Sequence, residues 1–152
     1  MAVWHTSHQN FKAGIFSTDC LWQDWSAVIA EKEDFISLLY TAKSDGQMCF
    51  GCTPENNWYA IELAPSIFDK VFRRKGTYLY KLDGGKFEDD ARLPMKASQC
   101  VSKWDAKILS CRFIEDIWLE LQKYPITFIT YDKLIAISRK YVEDQVKSSK
   151  QI

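Results

Sequence analysis

Apolar and polar residues alternate from Val101 to Leu109, the period of a strand with one buried face. The period then changes. Phe113, Ile114, Ile117, Trp118 and Leu121 recur at spacings that place them on one face of a helix. Tyr124-Pro125 stops that helix, because proline disfavours a helical residue before it and has no N–H to donate. The β-branched and aromatic run 126–131 predicts a further strand. Strand, helix, strand over residues 99–131 is the unit around which the remainder is read.

Upstream, residues 2–5 form a short apolar strand ending in His5, and residues 15–18 suggest a second. Asp19 is a candidate N-cap for a helix over residues 20–31, with Trp22, Trp25, Ala27, Val28 and Ile29 inward. A second helix is expected over 32–43, closed by the turn residues Ser44, Asp45 and Gly46. Strands follow at 47–51 and 58–63, separated by a polar loop, then a short helix at 66–72 behind Pro65. Arg73, Arg74, Lys75 and Gly76 make a basic turn, residues 77–82 alternate as a strand, and 83–85 reverse the chain. Asp132 is a candidate cap for a last helix over 133–146, followed by a polar tail from about 147. Strands and helices mix without regular βαβ alternation. The expected class is therefore α+β: a single domain over 1–152, with a mixed or antiparallel sheet and flanking helices.

Composition narrows the function. The twenty basic and twenty acidic side chains cancel, which argues against a dedicated nucleic-acid surface, where excess Lys and Arg must displace phosphate counterions. Six Trp within a 14% aromatic fraction are more rings than a core of this size readily hides. The first residues lack a basic then apolar leader pattern, no run reaches membrane-spanning length, and the five Cys are odd in number. Together these lead to the expectation of a cytoplasmic protein with free thiols and no membrane insertion.

Few motifs carry chemistry. Cys49 and Cys52 form a CxxC, but no second ligand pair exists for zinc, and the pair falls in a strand rather than at a helix start. The cysteines therefore read as structural. Arg73, Arg74 and Lys75, like Glu88, Asp89 and Asp90, read as solvated loop charge; Glu115, Asp116 and Glu120 read as the polar face of a helix. Neither a phosphate-binding P-loop nor a nucleophile elbow is present. His5 and His8 are the two histidines, and His5 stands beside the hydroxyl of Thr6, a pairing able to hold a ribose or move a proton.

Several of these pieces resemble the ADP-ribosyltransferase-like fold. Trp4, His5 and Thr6 are similar to its opening strand, and Phe16, Ser17 and Thr18 with the segment to Ala30 are similar to its second strand and helix. Tyr78, Tyr80 and Leu82 resemble its central aromatic strand, and Gln99 to Ser102 with Ala106 to Leu109 resemble its late strand. The resemblance implies NAD as the bound nucleotide. His5, Thr6, Ser17, Thr18 and Tyr80 would form the cofactor-binding set, and His5 and Gln99 the catalytic pair. In that family a glutamate at the position of Gln99 opposes the positive charge that develops at the anomeric carbon. Gln99 can hydrogen-bond a ribose but brings no charge, so the resemblance implies altered or lost transferase activity. This reading requires His5 and Gln99 to meet at one groove.

The second reading is a non-enzymatic protein-interaction module of immunity or adaptor type. Its anchors would be an exposed aromatic patch at Trp22, Trp25 and Trp58, the residue type most often dominant at binding surfaces.

Overall fold

The computed structural model describes residues 1–11, 21–22, 25–26, 28–93 and 98–150, with the backbone alone at 21–22 and 25–26. In chain order the first half contains β1 (Ala2–Ser7), β2 (Leu21–Trp22), β3 (Trp25–Ser26), β4 (Val28–Glu31), α1 (Asp34–Leu39), β5 (Met48–Cys52), β6 (Trp58–Glu62) and α2 (Ile67–Val71). The second half contains β7 (Thr77–Asp83), β8 (Gln99–Ser102), β9 (Ile108–Ile114), α3 (Ile117–Leu121), β10 (Ile126–Ile129) and α4 (Tyr131–Lys150).

β1 is the centre of a five-stranded antiparallel sheet in the order β8-β4-β1-β7-β9. A three-stranded mixed sheet, β10-β6-β5, has β10 parallel and β5 antiparallel to β6. The class is α+β, as the strand and helix patterns imply. Strand alternation sends the two faces of the larger sheet into different cores. Leu79 joins Leu38, Leu39, Phe68, Phe72, Ile117 and Leu121, a cluster shared by both sheets and the three short helices. Val3, Tyr80, Leu82, Val28, Ala30 and Cys100 form a second core on the opposite face.

Several boundaries differ from the sequence-based expectation. The helix expected over 20–31 is replaced by β2, β3 and β4. β4 pairs along its length with β8, and Val28 and Ala30 enter the second core, so non-local pairing overrides the helical spacing of its apolar residues. The strand expected over 101–109 is split between β8 and β9. Ser102 Oγ accepts the Trp104 N–H and donates to its carbonyl, both at 3.0 Å, and this turn ends β8. The following helix begins at Ile117, not near Phe113, because the Asp116 carboxylate caps the N–H groups of Trp118 and Leu119. Phe113 and Ile114 are the last residues of β9, one exposed and one buried.

The final helix starts earlier and ends later than its pattern suggests. Its first turn follows Thr130, whose hydroxyl accepts the Lys133 N–H, and α4 continues through the polar tail to Lys150. The strand expected at 15–18, with Ser17 and Thr18, lies outside the described residues. Among the described residues, no helix is long and apolar enough to cross a membrane.

Candidate functional site

The cleft is created by a pairing that stops. β1 lies against β7 along its whole length, but it meets β4 in register only at Trp4 and Glu31. Beyond that pair it is the His5 ring that reaches across, with Nδ1 at 2.9 Å from the Ile29 carbonyl oxygen. A carbonyl can only accept, so Nδ1 carries the proton and Nε2 of the neutral ring is left as an acceptor. Burial holds the His5 pKa below its ordinary value, partly offset by this hydrogen bond, and the ring is neutral at pH 7.

Register supplies the other residues. Glu31 on β4 stands directly opposite Gln99 on β8, as it does opposite Trp4 on β1. Gln99 Nε2 donates to Glu31 Oε1 at 3.0 Å. Above them the end of α1 brings in Ser37 and Tyr40, and Thr6 Oγ1 donates to the Ser37 carbonyl at 3.1 Å. These side chains, with Ile29, enclose a cavity of about 210 Å³.

Glu31 is the unusual group. It is only 5% exposed, and its Oε2 has no hydrogen-bond partner. Burial pushes its carboxyl up to about 7, against the opposing influence of Gln99 and Ser98. Ser98 Oγ is near enough to oppose the rise but makes no hydrogen bond of acceptable geometry, and is itself buried and unpaired. Burial first, and the Glu31 charge second, keep the Tyr40 hydroxyl protonated far above neutral pH. The cleft thus combines a neutral imidazole acceptor, a phenol donor and a carboxyl that titrates near neutrality. Paired perturbations of this kind concentrate at functional sites.

Of the residues singled out from sequence, His5, Thr6 and Gln99 line this one cavity. Tyr80 does not. It points into the second core, fully buried, where its hydroxyl donates to the Gln9 carbonyl at 2.6 Å and accepts the Phe11 N–H at 2.7 Å. Tyr80 stands directly opposite His5 in the β1–β7 register, so the two share a face. It is the reach of the His5 ring across to Ile29, not strand alternation, that brings His5 and not Tyr80 to the cleft. Ser17 and Thr18 lie outside the described residues. Glu31, Ser37 and Tyr40 were not singled out. Glu31 sits where the pattern suggests the end of a helix, and as the first residue of the charged run Glu31, Lys32, Glu33, Asp34 it carries no signal that separates it from its neighbours.

Other candidates resolve into structure. Glu62 is 4% exposed, but both of its oxygens are used, by the Phe68 N–H at 2.8 Å and the Tyr131 N–H at 3.1 Å. Glu120, read from sequence as surface, is buried between Arg112 at 2.8 Å and Lys123 at 2.9 Å. Arg73 pairs with Asp69 and lies 5.4 Å from the Trp118 ring centre. Cys49 and Cys52 are exposed free thiols, and no cluster disposed to hold a metal ion occurs among the described residues. Trp58 is half-buried, edge-on to Phe35 at 5.7 Å, while the side chains of Trp22 and Trp25 lie outside the description.

A larger cavity of about 590 Å³ adjoins the cleft one residue further along the same two strands. It is bordered by Lys32 and Ser98 and, across from them, by Phe35, Asn56, Asn57 and Trp58. Comparison with protein-family models, curated proteins and solved structures finds no match to this chain.

Proposed function

We propose that this chain is a NAD-handling, ADP-ribosyltransferase-like protein, and that Glu31 carries the charge that Gln99 lacks. The observation that supports this reading is the buried, unpaired Oε2 of Glu31, a residue that lines the same cavity as His5 and Gln99. A buried carboxylate oxygen without a partner is costly unless a ligand supplies one.

The residues fit one end of a dinucleotide rather than the whole of it, since about 210 Å³ is small for a complete ligand site. NAD supplies an anomeric carbon at which positive charge develops as nicotinamide departs. An ionised Glu31 opposes that charge, in a setting dry enough for the opposition to be strong. Gln99 holds Oε1 and so fixes the orientation of the carboxylate. His5 Nε2 accepts from a ribose hydroxyl, and Tyr40 excludes water while keeping its own proton. Because Glu31 must be ionised, function rises with pH through about 7.

Calorimetric titration of NAD into the wild-type chain and Glu31→Gln is the test. The reading requires heat of binding for the wild type at millimolar NAD and at least a tenfold weaker response in the variant. No binding to the wild type, or equal binding to both, contradicts it.

A further inference from the structure

The larger cavity beside the cleft takes no part in the chemistry proposed for His5 and Glu31. At about 590 Å³ it is of the size that holds a small organic molecule. Phe35 and Ile36 of α1, Trp58 at the start of β6 and Pro125 ahead of β10 give it apolar walls. Asn56 and Asn57, in the loop between β5 and β6, add two carboxamides. The Phe35 and Trp58 rings stand at 82° with their centres 5.7 Å apart. A flat ring lying parallel to one of them therefore meets the other edge-on, and these are the two arrangements that aromatic pairs favour.

The loop that supplies the carboxamides is held before any ligand arrives. Asn56 donates its N–H to the Thr53 carbonyl at 2.9 Å, Thr53 donates to the Asn57 carbonyl at 3.0 Å, and the Asn57 N–H goes to the Thr53 hydroxyl at 3.1 Å. Asn56 takes a left-handed φ of 64°, which asparagine tolerates, and its side-chain oxygen accepts the Cys52 thiol at 3.3 Å. The Asn57 carboxamide has no partner among the described residues. Ser98, 5% exposed, brings a hydroxyl to the border that is also unpaired. Charge does not favour an anion inside: Lys32 is paired with Asp89 at 2.9 Å, and Glu33 adds a carboxylate.

From the two rings and the unpaired carboxamide we infer that this cavity is a nucleobase site selecting adenine. An asparagine carboxamide meets adenine with both of its atoms, the oxygen accepting from N6–H and the NH2 donating to N7. Guanine is read at O6 and N7 by a cation, and the one bordering this cavity, Lys32, is held by Asp89. A sugar can satisfy the carboxamides and the hydroxyl, but it has no π-face to meet the two rings. A nucleoside held in this way is expected to bind with a Kd of the order of 100 µM.

Calorimetric titration of adenosine, 7-deazaadenosine, guanosine, uridine and maltose into the full chain and into Asn57→Asp tests this. 7-Deazaadenosine keeps the flat ring but has carbon in place of N7. The aspartate keeps the shape and the acceptor of Asn57 but has no NH2, and on an exposed loop it should leave the unfolding curve unchanged. Wild type is expected to bind adenosine about tenfold more tightly than any of the other four. Asn57→Asp should lose about tenfold for adenosine and should distinguish it from 7-deazaadenosine by no more than about twofold. No binding of adenosine at millimolar concentration overturns the inference. So does equal binding of adenosine and 7-deazaadenosine to the wild type, a preference for guanosine, uridine or maltose, or a variant that behaves as the wild type. Adenosine carries neither nicotinamide nor phosphate, so none of these outcomes decides whether the cleft binds NAD.

Discussion

Glu31 and Glu62 are two buried glutamates at two strand ends, 5% and 4% exposed, and they do opposite things. Glu62 closes β6 with both oxygens committed, one to the first turn of α2 and one to the first turn of α4. Each is a charge-assisted bond to a backbone N–H that the helix cannot otherwise satisfy. Glu31 closes β4 with one oxygen held by a neutral amide and the other buried without a partner, in a residue that lines the same cavity as His5. Burial alone therefore does not separate a structural carboxylate from an available one. The count of satisfied oxygens does.

The comparison breaks most visibly at Glu62. Glu62→Ala strips two helix starts of their acceptor and leaves buried N–H groups unpaired, an expected loss of about 3–5 kcal/mol in urea-unfolding stability. A loss below about 1 kcal/mol would show that water replaces the carboxylate and that its two bonds are incidental.

Glu31→Gln is expected to move stability the other way. The wild-type carboxyl titrates near 7 when folded and at the ordinary 4.5 when unfolded. Between those values the unfolded chain has given up its proton and the folded chain has not, so wild-type stability falls as pH rises from 4.5 to 7. Glutamine removes that penalty. The variant should match the wild type below pH 4.5 and exceed it by up to about 3 kcal/mol above pH 7, measured as paired unfolding curves across pH. Equal pH profiles for the two chains would place Glu31 among ordinary carboxylates.

His5→Ala sharpens the contrast on the ligand side, with an expected loss in NAD affinity of about tenfold, or 1.4 kcal/mol, by calorimetry. Its pH signature has the opposite sign. A histidine whose folded pKa is lowered leaves the unfolded chain to take up the proton first, so wild-type stability falls as pH drops below the ordinary 6.5. The variant should lack that acid-side loss, and an unchanged slope below pH 6.5 would mean that the ring is not held neutral. The smallest effect is expected from Gln99→Ala. It removes the bond to Oε1, raising the Glu31 titration further and costing about 1 kcal/mol in stability. A downward shift instead would mean that Gln99 does not hold the ionised form.

Much of the fold could be read from local pattern because its elements are locally coded. The turn after Asp83 is closed by that side chain on the Gly85 N–H at 2.9 Å, and the loop between β5 and β6 falls where Asn and Pro accumulate. What escaped the pattern is β4. Its four residues have partners far along the chain, Gln99 through Ser102 on one side and Trp4 on the other, and no local spacing encodes those pairings. The cleft inherited that error. His5 ends a strand legible in the sequence and Thr6 and Gln99 follow from the family resemblance, whereas Glu31 closes a segment whose apolar spacing is helical. Tyr80 and Leu79 show the complementary limit. Alternation separates their faces, but each face carries a core, and only the packed sheet shows that Tyr80 is spent on one of them although it stands opposite His5.

The most direct test is the carboxyl titration of Glu31 itself. Carbon-13 NMR of glutamate-labelled protein, with Glu31→Gln identifying the resonance, would follow it with and without NAD. The account expects a midpoint near 7 that falls when NAD is present, because a ligand that pairs Oε2 and brings positive charge favours the ionised form. A midpoint near 4.5, or one near 7 that millimolar NAD leaves unmoved, would contradict it.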